Sequence, residues 1–239
     1  MENSSKVIVA LDFGTYTLAM ACAEKIDPKK CRAVKVGKEL FTAVGPAIVR
    51  NLMQLGFAVF LDLKYHDIPN TVAGAVRAAC GLGVWMMNVH ALGGRKMMEA
   101  AAAEVAKIPE KNRPLVVVVT VLTSMESPDL EELGLNGIPE TFVSRWAKLA
   151  QESGLDGVVC SGKETQLLRR ERGEKFVLVT PGIRLPGGDA NDQARIVTPE
   201  IAIANGSNYI VIGRPVTQAK SPNDVLLDIN QRVLSVQQQ

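Results

Sequence analysis

An eightfold alternation constrains this chain more than any other feature. Short apolar runs rich in β-branched residues fall at 7–13, 33–37, 58–64, 84–90, 115–122, 157–160, 176–181 and 209–213. Most are apolar at successive positions, so both faces need cover, as in parallel strands flanked by helices. The intervening segments carry helical spacing. Phe142, Trp146 and Leu149 keep the 4 and 3 steps of one helix face, and Val72, Ala75, Val76 and Ala79 do the same. Helix starts are marked by Thr198-Pro199-Glu200 and Ile138-Pro139-Glu140, each with a proline in the first turn and an acid near the helix's positive end. Gly45-Pro46 should divide 38–55 into a short turn and a main helix. No Ser/Gly-rich linker breaks the series. The expected fold is α/β, a single (β/α)8 (TIM) barrel spanning 1–239 as one domain, with an open doubly wound sheet as the competing arrangement.

Composition narrows the function. With 27 basic and 25 acidic residues the net charge is +2, too balanced for a broad nucleic-acid face, so any bound anion should be small. Hydrophobic residues make up 47%, enough for one large core, yet no run reaches the roughly 18 apolar residues of a membrane span. Residues 1–5 are polar and lack the apolar centre of a signal peptide. Cys22, Cys31, Cys80 and Cys160 show neither metal-ligand spacing nor a disulfide pattern. A cytoplasmic protein with reduced thiols and no membrane partner is expected.

In such a barrel the active site forms at the C-terminal ends of the strands. Polar residues gather there: Asp12, Lys35 to Gly37, Asp62 with Lys64, Asn88 with His90, Thr120 to Ser124, Pro181 to Arg184, and Gly213 with Arg214. The densest stretch runs from Phe60 to Thr71. Asp62 and Lys64 are two apart and so share a strand face, and Asp67 follows beside a helix start, Ile68-Pro69. With Lys35 from the second strand they can form an alternating lysine and carboxylate network. Such a network can hold an ammonium charged and aimed to protonate a carbanion, or can repel a departing substrate carboxylate. A purely structural ion-pair cluster is the competing reading. A Schiff-base lysine fits less well, because nearby carboxylates keep an amine protonated.

The late loops point to phosphate. Pro181-Gly182-Ile183-Arg184 after the seventh strand and Gly213-Arg214-Pro215 after the eighth each set a glycine amide near an arginine, where this fold commonly binds phosphate. Between them, residues 185–197 carry Gly187-Gly188 and several polar groups, either as a loop that closes over the phosphate or as a plain connector. Asp12 can accept from a sugar hydroxyl or cap a helix. Thr123 and Ser124 can face the polar edge of a ring or merely close a turn. His66 and His90 lack metal-ligand partners at a recognisable spacing and read as structural. Lys163 and the arginines of 169–172 read as a solvated helix face.

The run Asp62-Leu-Lys-Tyr-His-Asp-Ile-Pro-Asn-Thr71 resembles the signature of the orotidine 5'-phosphate decarboxylases. Ala10-Leu-Asp12, Lys35-Val-Gly37, Val121-Leu-Thr-Ser124, Pro181-Gly-Ile-Arg184, Asp192-Gln-Ala-Arg195 and Gly213-Arg-Pro215 stand in that family's order. The resemblance implies conversion of orotidine 5'-monophosphate to UMP and CO2 in pyrimidine synthesis, with no metal or organic cofactor. It implies that Lys64 protonates C6, that Asp62 crowds the substrate carboxylate, and that Lys35 completes the network and touches the ribose. Asp12 would bind ribose hydroxyls and Thr123 with Ser124 the pyrimidine. Gln193, Gly213 and Arg214, with Arg184, would hold the phosphate, and Pro181 would be among the substrate-binding residues. It further implies a homodimer in which Asp67 and Thr71, with Ile68 between them, serve the neighbour's site. The aspartate and lysine motif is shared with metal-assisted 3-keto sugar-phosphate decarboxylases of the same superfamily, which, with a non-catalytic nucleotide-binding barrel, are the alternatives. The Ile-Pro-Asn-Thr continuation favours the orotidylate enzymes.

Overall fold

The computed structural model describes residues 5–185 and 197–237, and in it the eight apolar runs form a closed parallel barrel in chain order. The strands are β1 (Val7–Ala10), β2 (Ala33–Gly37), β3 (Val59–Tyr65), β4 (Met86–His90), β5 (Leu115–Val119), β6 (Gly157–Val159), β7 (Val177–Thr180) and β8 (Tyr209–Ile212). Closure of β8 onto β1 rules out the open sheet. Several strands are shorter than their apolar runs: β1 stops at Ala10 rather than Phe13, and β5 at Val119 rather than Leu122. The ends of these runs continue to the barrel mouth, which Phe13, Val121 and Leu122 line.

The helices are α1 (Tyr16–Ala23), α2 (Lys38–Val44), α3 (Ala47–Gln54), α4 (Pro69–Leu82), α5 (Gly94–Ala106), α6 (Ser127–Glu132), α7 (Pro139–Glu152), α8 (Thr165–Arg172), α9 (Pro199–Ala204), α10 (Arg214–Thr217) and α11 (Pro222–Gln237). Thr198 caps α9 by accepting from the Ile201 amide, as its sequence suggests. Gly45-Pro46 separates two helices of similar length, α2 and α3, instead of a turn and a main helix, because Lys38 to Val44 completes its own hydrogen-bonded turns before Gly45 adopts φ 71°. Among the described residues no helix is long and apolar enough to cross a membrane.

Strand alternation creates two cores. Val7, Val9, Val34, Val36, Val59, Leu61, Met87, Val89, Val116, Val118, Leu178, Ile210 and Ile212 point outward under the helices. Ile8, Ala10, Ala33, Phe60, Met86, Val117, Val179 and Val211 fill the barrel interior. The next inward position along each strand is then forced to the mouth. Two residues beyond Ala10 comes Asp12, beyond Ala33 Lys35, beyond Phe60 Asp62, beyond Met86 Asn88, beyond Val179 Pro181, and beyond Val211 Gly213. Asp12, Lys35, Asp62 and Asn88 are thus the polar members of the top interior layer of the barrel.

One surface reading is corrected. Lys163 is exposed, but the Arg169 side chain is only 12% exposed and Arg172's 16%, so they are not a solvated face. Arg169 donates to the carbonyls of Gly173, Phe176 and Gly206 and to Asn208 Oδ1, tying the end of α8 to the entries of β7 and β8.

Candidate active site

A cavity of about 580 Å³ opens at the C-terminal mouth, floored by the interior layer at Ala10, Phe60, Val119, Val159 and Val211. Ten residues named from the sequence line it: Asp12, Lys35, Asp62, Lys64, Thr123, Ser124, Pro181, Arg184, Gly213 and Arg214. Thr217 and Gln218, at and just after the end of α10, also line it and carried no recognisable sequence signal.

On one wall the charges alternate. Lys35 Nζ lies 2.8 Å from Asp12 Oδ1 and 3.3 Å from Asp62 Oδ2, and Lys64 Nζ lies 2.7 Å from Asp62 Oδ1. Asp12 therefore pairs with Lys35 instead of capping a helix; α1 is capped by Thr15. Burial alone would push the Lys35 ammonium down, but the Asp62 and Asp12 carboxylates outweigh it and hold its pKa above the ordinary lysine value. Burial likewise pushes Asp62 up, and Lys35, Lys64 and a hydrogen bond from Asn88 reverse this, so its carboxyl stays below the usual range. Both groups are charged at neutral pH. Gly37 permits the approach: a β-carbon there would sit 3.2 Å from both Asp12 Oδ1 and Lys35 Nζ.

Strand β3 is irregular where it delivers these groups. Leu61 pairs with Met87 and Tyr65 with Val89, so Asp62, Leu63 and Lys64 together face Asn88 alone. Among the described residues Lys64 is the one non-glycine with positive φ, 54°. Asp62 and Lys64 therefore do not share a face by simple alternation, as their spacing suggested; the bulge turns Lys64 back to Asp62.

Across the cavity, Gly182 adopts φ 77° between Pro181 and Ile183, a conformation that favours glycine, and this turn brings Arg184 to the cavity lining. Ile183 and Val197 form a parallel bridge at the base of the intervening segment. Gln193 and the Gly187-Gly188 stretch lie outside the described residues. Thr123 and Ser124 occupy the middle of a turn closed by the Met125 amide on the Leu122 carbonyl, so they form a turn and line the cavity at once.

Asp67, Ile68 and Thr71 do not line the cavity of their own chain. All three are exposed, Ile68 by 67%, beside the start of α4, where Asp67 Oδ1 accepts from the Ile68 amide. His66 and His90 stack with ring centroids 5.6 Å apart, and His90 Nδ1 accepts from the Leu92 amide, which agrees with a structural place for His90.

Residues 5–229 match the profile of the orotidine 5'-phosphate decarboxylase / HUMPS family. The chain belongs to this family. It is 58% identical over 230 residues to the orotidine 5'-phosphate decarboxylase of Hydrogenovibrio crunogenus, covering 96% of each chain. It is 55% identical to that of Marinomonas sp. strain MWYL1, covering 96% of this chain and 97% of the relative. The crystal structure of the Lactobacillus acidophilus orotidine 5'-phosphate decarboxylase superposes with a TM-score of 0.85 at 38% identity, covering 96% of this chain and 99% of that one.

Proposed function

We propose that Lys64 is the proton donor in this chain's reaction and that Asp62 supplies the electrostatic pressure on the leaving group. The reaction is the decarboxylation of orotidine 5'-monophosphate to UMP in pyrimidine nucleotide synthesis, the activity its relatives are named for. The observation that carries the mechanism is the Lys35–Asp62–Lys64 alternation on the cavity wall opposite Arg184, Gly213 and Arg214. The arginines suit the phosphate dianion, and a phosphate bound there supplies binding energy that can hold the pyrimidine against the charged side. Asp62 stays ionised, so a substrate carboxylate pressed beside it is destabilised until it leaves. The C6–carboxylate bond breaks, its electron pair remains on C6, and CO2 departs. The Lys64 ammonium stabilises that developing charge and transfers a proton from Nζ to C6; solvent then reprotonates the amine.

Asp12 and Lys35 suit the ribose hydroxyls and Thr123 with Ser124 the pyrimidine edge. The reading includes a homodimer in which Asp67, Ile68 and Thr71 complete the neighbour's site, supported by their exposure outside their own cavity. It places the enzyme in the cytoplasm as one domain acting without a cofactor. The four cysteines, all among the described residues, form no disulfide, which fits a reducing compartment.

Following orotidylate loss by absorbance tests this. Lys64→Ala should fold and bind UMP yet lose nearly all turnover, and EDTA should leave wild-type turnover unchanged. Turnover by Lys64→Ala near the wild-type rate would remove the lysine from the chemistry.

A further inference from the structure

Asn88 was placed at a strand end by the sequence, with no role attached. Its side chain is fully buried, in a strand, Met86–His90, that is otherwise apolar up to His90. It stands where three residues of β3 face one of β4, in the gap left by the interrupted ladder. Its Oδ1 accepts from the Lys64 backbone amide at 2.7 Å, and its Nδ2 donates to Asp62 Oδ1 at 2.6 Å. The orientation of the amide is fixed by chemistry: a backbone N–H can only donate and an ionised carboxylate only accept, so neither contact survives exchange of oxygen and nitrogen. The same Asp62 oxygen receives Lys64 Nζ.

We propose that Asn88 is the positioning residue of the reaction, a single amide that holds the Lys64 main chain in its left-handed conformation and aims the Asp62 carboxylate. A left-handed backbone at a non-glycine residue persists only where its surroundings over-determine it. Here a buried acceptor meets the amide that the bulge takes out of the ladder. Without Asn88, Lys64 is free to relax toward an ordinary strand conformation, carrying its ammonium off the reacting carbon, and Asp62 loses a donor that stabilises its charge. Other side chains do not duplicate this: on β5 the partner of Asn88 is Val117, and the charged groups around it are Asp62 and Lys64 of β3, then Lys35 of β2 and, beyond Lys35, Asp12. His90 lies two residues further along β4, stacked on His66.

The proposal rests on Lys64 and Asp62 having the roles given above, and Asn88→Asp separates it from a merely structural role. The substitution is isosteric. Ionised, the new carboxyl accepts from the Lys64 amide but repels Asp62; protonated, it restores both hydrogen bonds. Once the new carboxyl ionises, which burial beside the Asp62 carboxylate shifts toward high pH, kcat should fall roughly a hundredfold, the scale of an ångström-sized misplacement, while the Kd for UMP, which lacks the carboxylate, stays within about threefold. As pH is lowered, kcat per folded molecule should recover relative to wild type. Asn88→Ala should show the loss without the recovery, and UMP binding reports the folded fraction of each variant. A kcat for Asn88→Ala within threefold of wild type, or in either variant a loss that tracks UMP binding at every pH, overturns the assignment of Asn88. Lys64→Ala, measured alongside, judges the proton-donor reading separately.

Discussion

At the scale of single residues, the site could be read from the sequence as a list but not as a geometry. Asp12, Lys35, Asp62, Arg184 and Arg214 announce themselves because charge at the end of an apolar strand needs a reason. The left-handed backbone of Lys64 and its tether to Asn88 do not, since neither residue type nor spacing encodes a bulge two residues deep. His90 shows the same limit and yields a prediction. Burial, then the charges of His66, Lys38 and Lys64, lowers its pKa from 6.5 to about 4. Between those values the unfolded chain binds a proton that the folded chain does not. The stability due to a neutral His90 is therefore complete above pH 6.5 and is lost as pH falls toward 4, by less than the roughly 3 kcal/mol of a fully buried ring because solvent screens this half-buried one. His90→Gln keeps an acceptor for the Leu92 amide and cannot titrate. Urea midpoints from pH 7.5 to 4.5 should fall less steeply for this variant, and parallel curves would mean that His90 does not stay neutral.

At the scale of elements, periodicity located the strands and most helices because a parallel barrel buries both faces of each strand, leaving long apolar runs bounded by caps. Run ends were overestimated where apolar residues such as Phe13 and Val121 continue past the last strand pair into the mouth. Composition misled at α8, where consecutive arginines suggested solvent. Arg169 instead crosslinks α8 to the entries of β7 and β8 by donating to the carbonyls of Phe176 and Gly206. Its removal leaves several partly buried acceptors without a donor, at a typical cost of 1–3 kcal/mol for each such group, reduced where water enters. Arg169→Ala should lower the unfolding free energy by about 3 kcal/mol and Arg169→Lys by nearly as much, because one ammonium cannot span acceptors on separate elements. The hub sits at the strand entries, opposite the cavity, so kcat/KM per folded molecule should stay at the wild-type value in both. A change in kcat/KM would mean that the barrel transmits strain from its base to its mouth.

At the scale of the whole molecule, the eightfold count favoured a closed barrel over an open sheet, the pairing of β8 with β1 closed it, and the barrel rule gave the face on which the site lies. What one chain cannot display is how many chains make a complete site. Asp67, Ile68 and Thr71 belong to the same motif as Asp62 and Lys64 yet point away from their own cavity into solvent. An exposed isoleucine flanked by polar groups at the rim of a site fits a surface covered by a second copy, which a twofold axis would reciprocate. If Asp67 acts across that axis, Lys64→Ala and Asp67→Ala should each be nearly inactive alone, for reasons located in different subunits. When the two are mixed in equal amounts and allowed to exchange, random pairing makes half of the dimers mixed. Each mixed dimer then contains one site with both native residues, so activity should rise to about a quarter of the wild-type value. Sites complete within single chains would give no recovery at any mixing ratio. Recovery should also follow the time course of subunit exchange, measurable by adding the second variant and sampling turnover, so a slow rise to that plateau separates a shared site from contaminating wild-type enzyme, which would be present from the first reading.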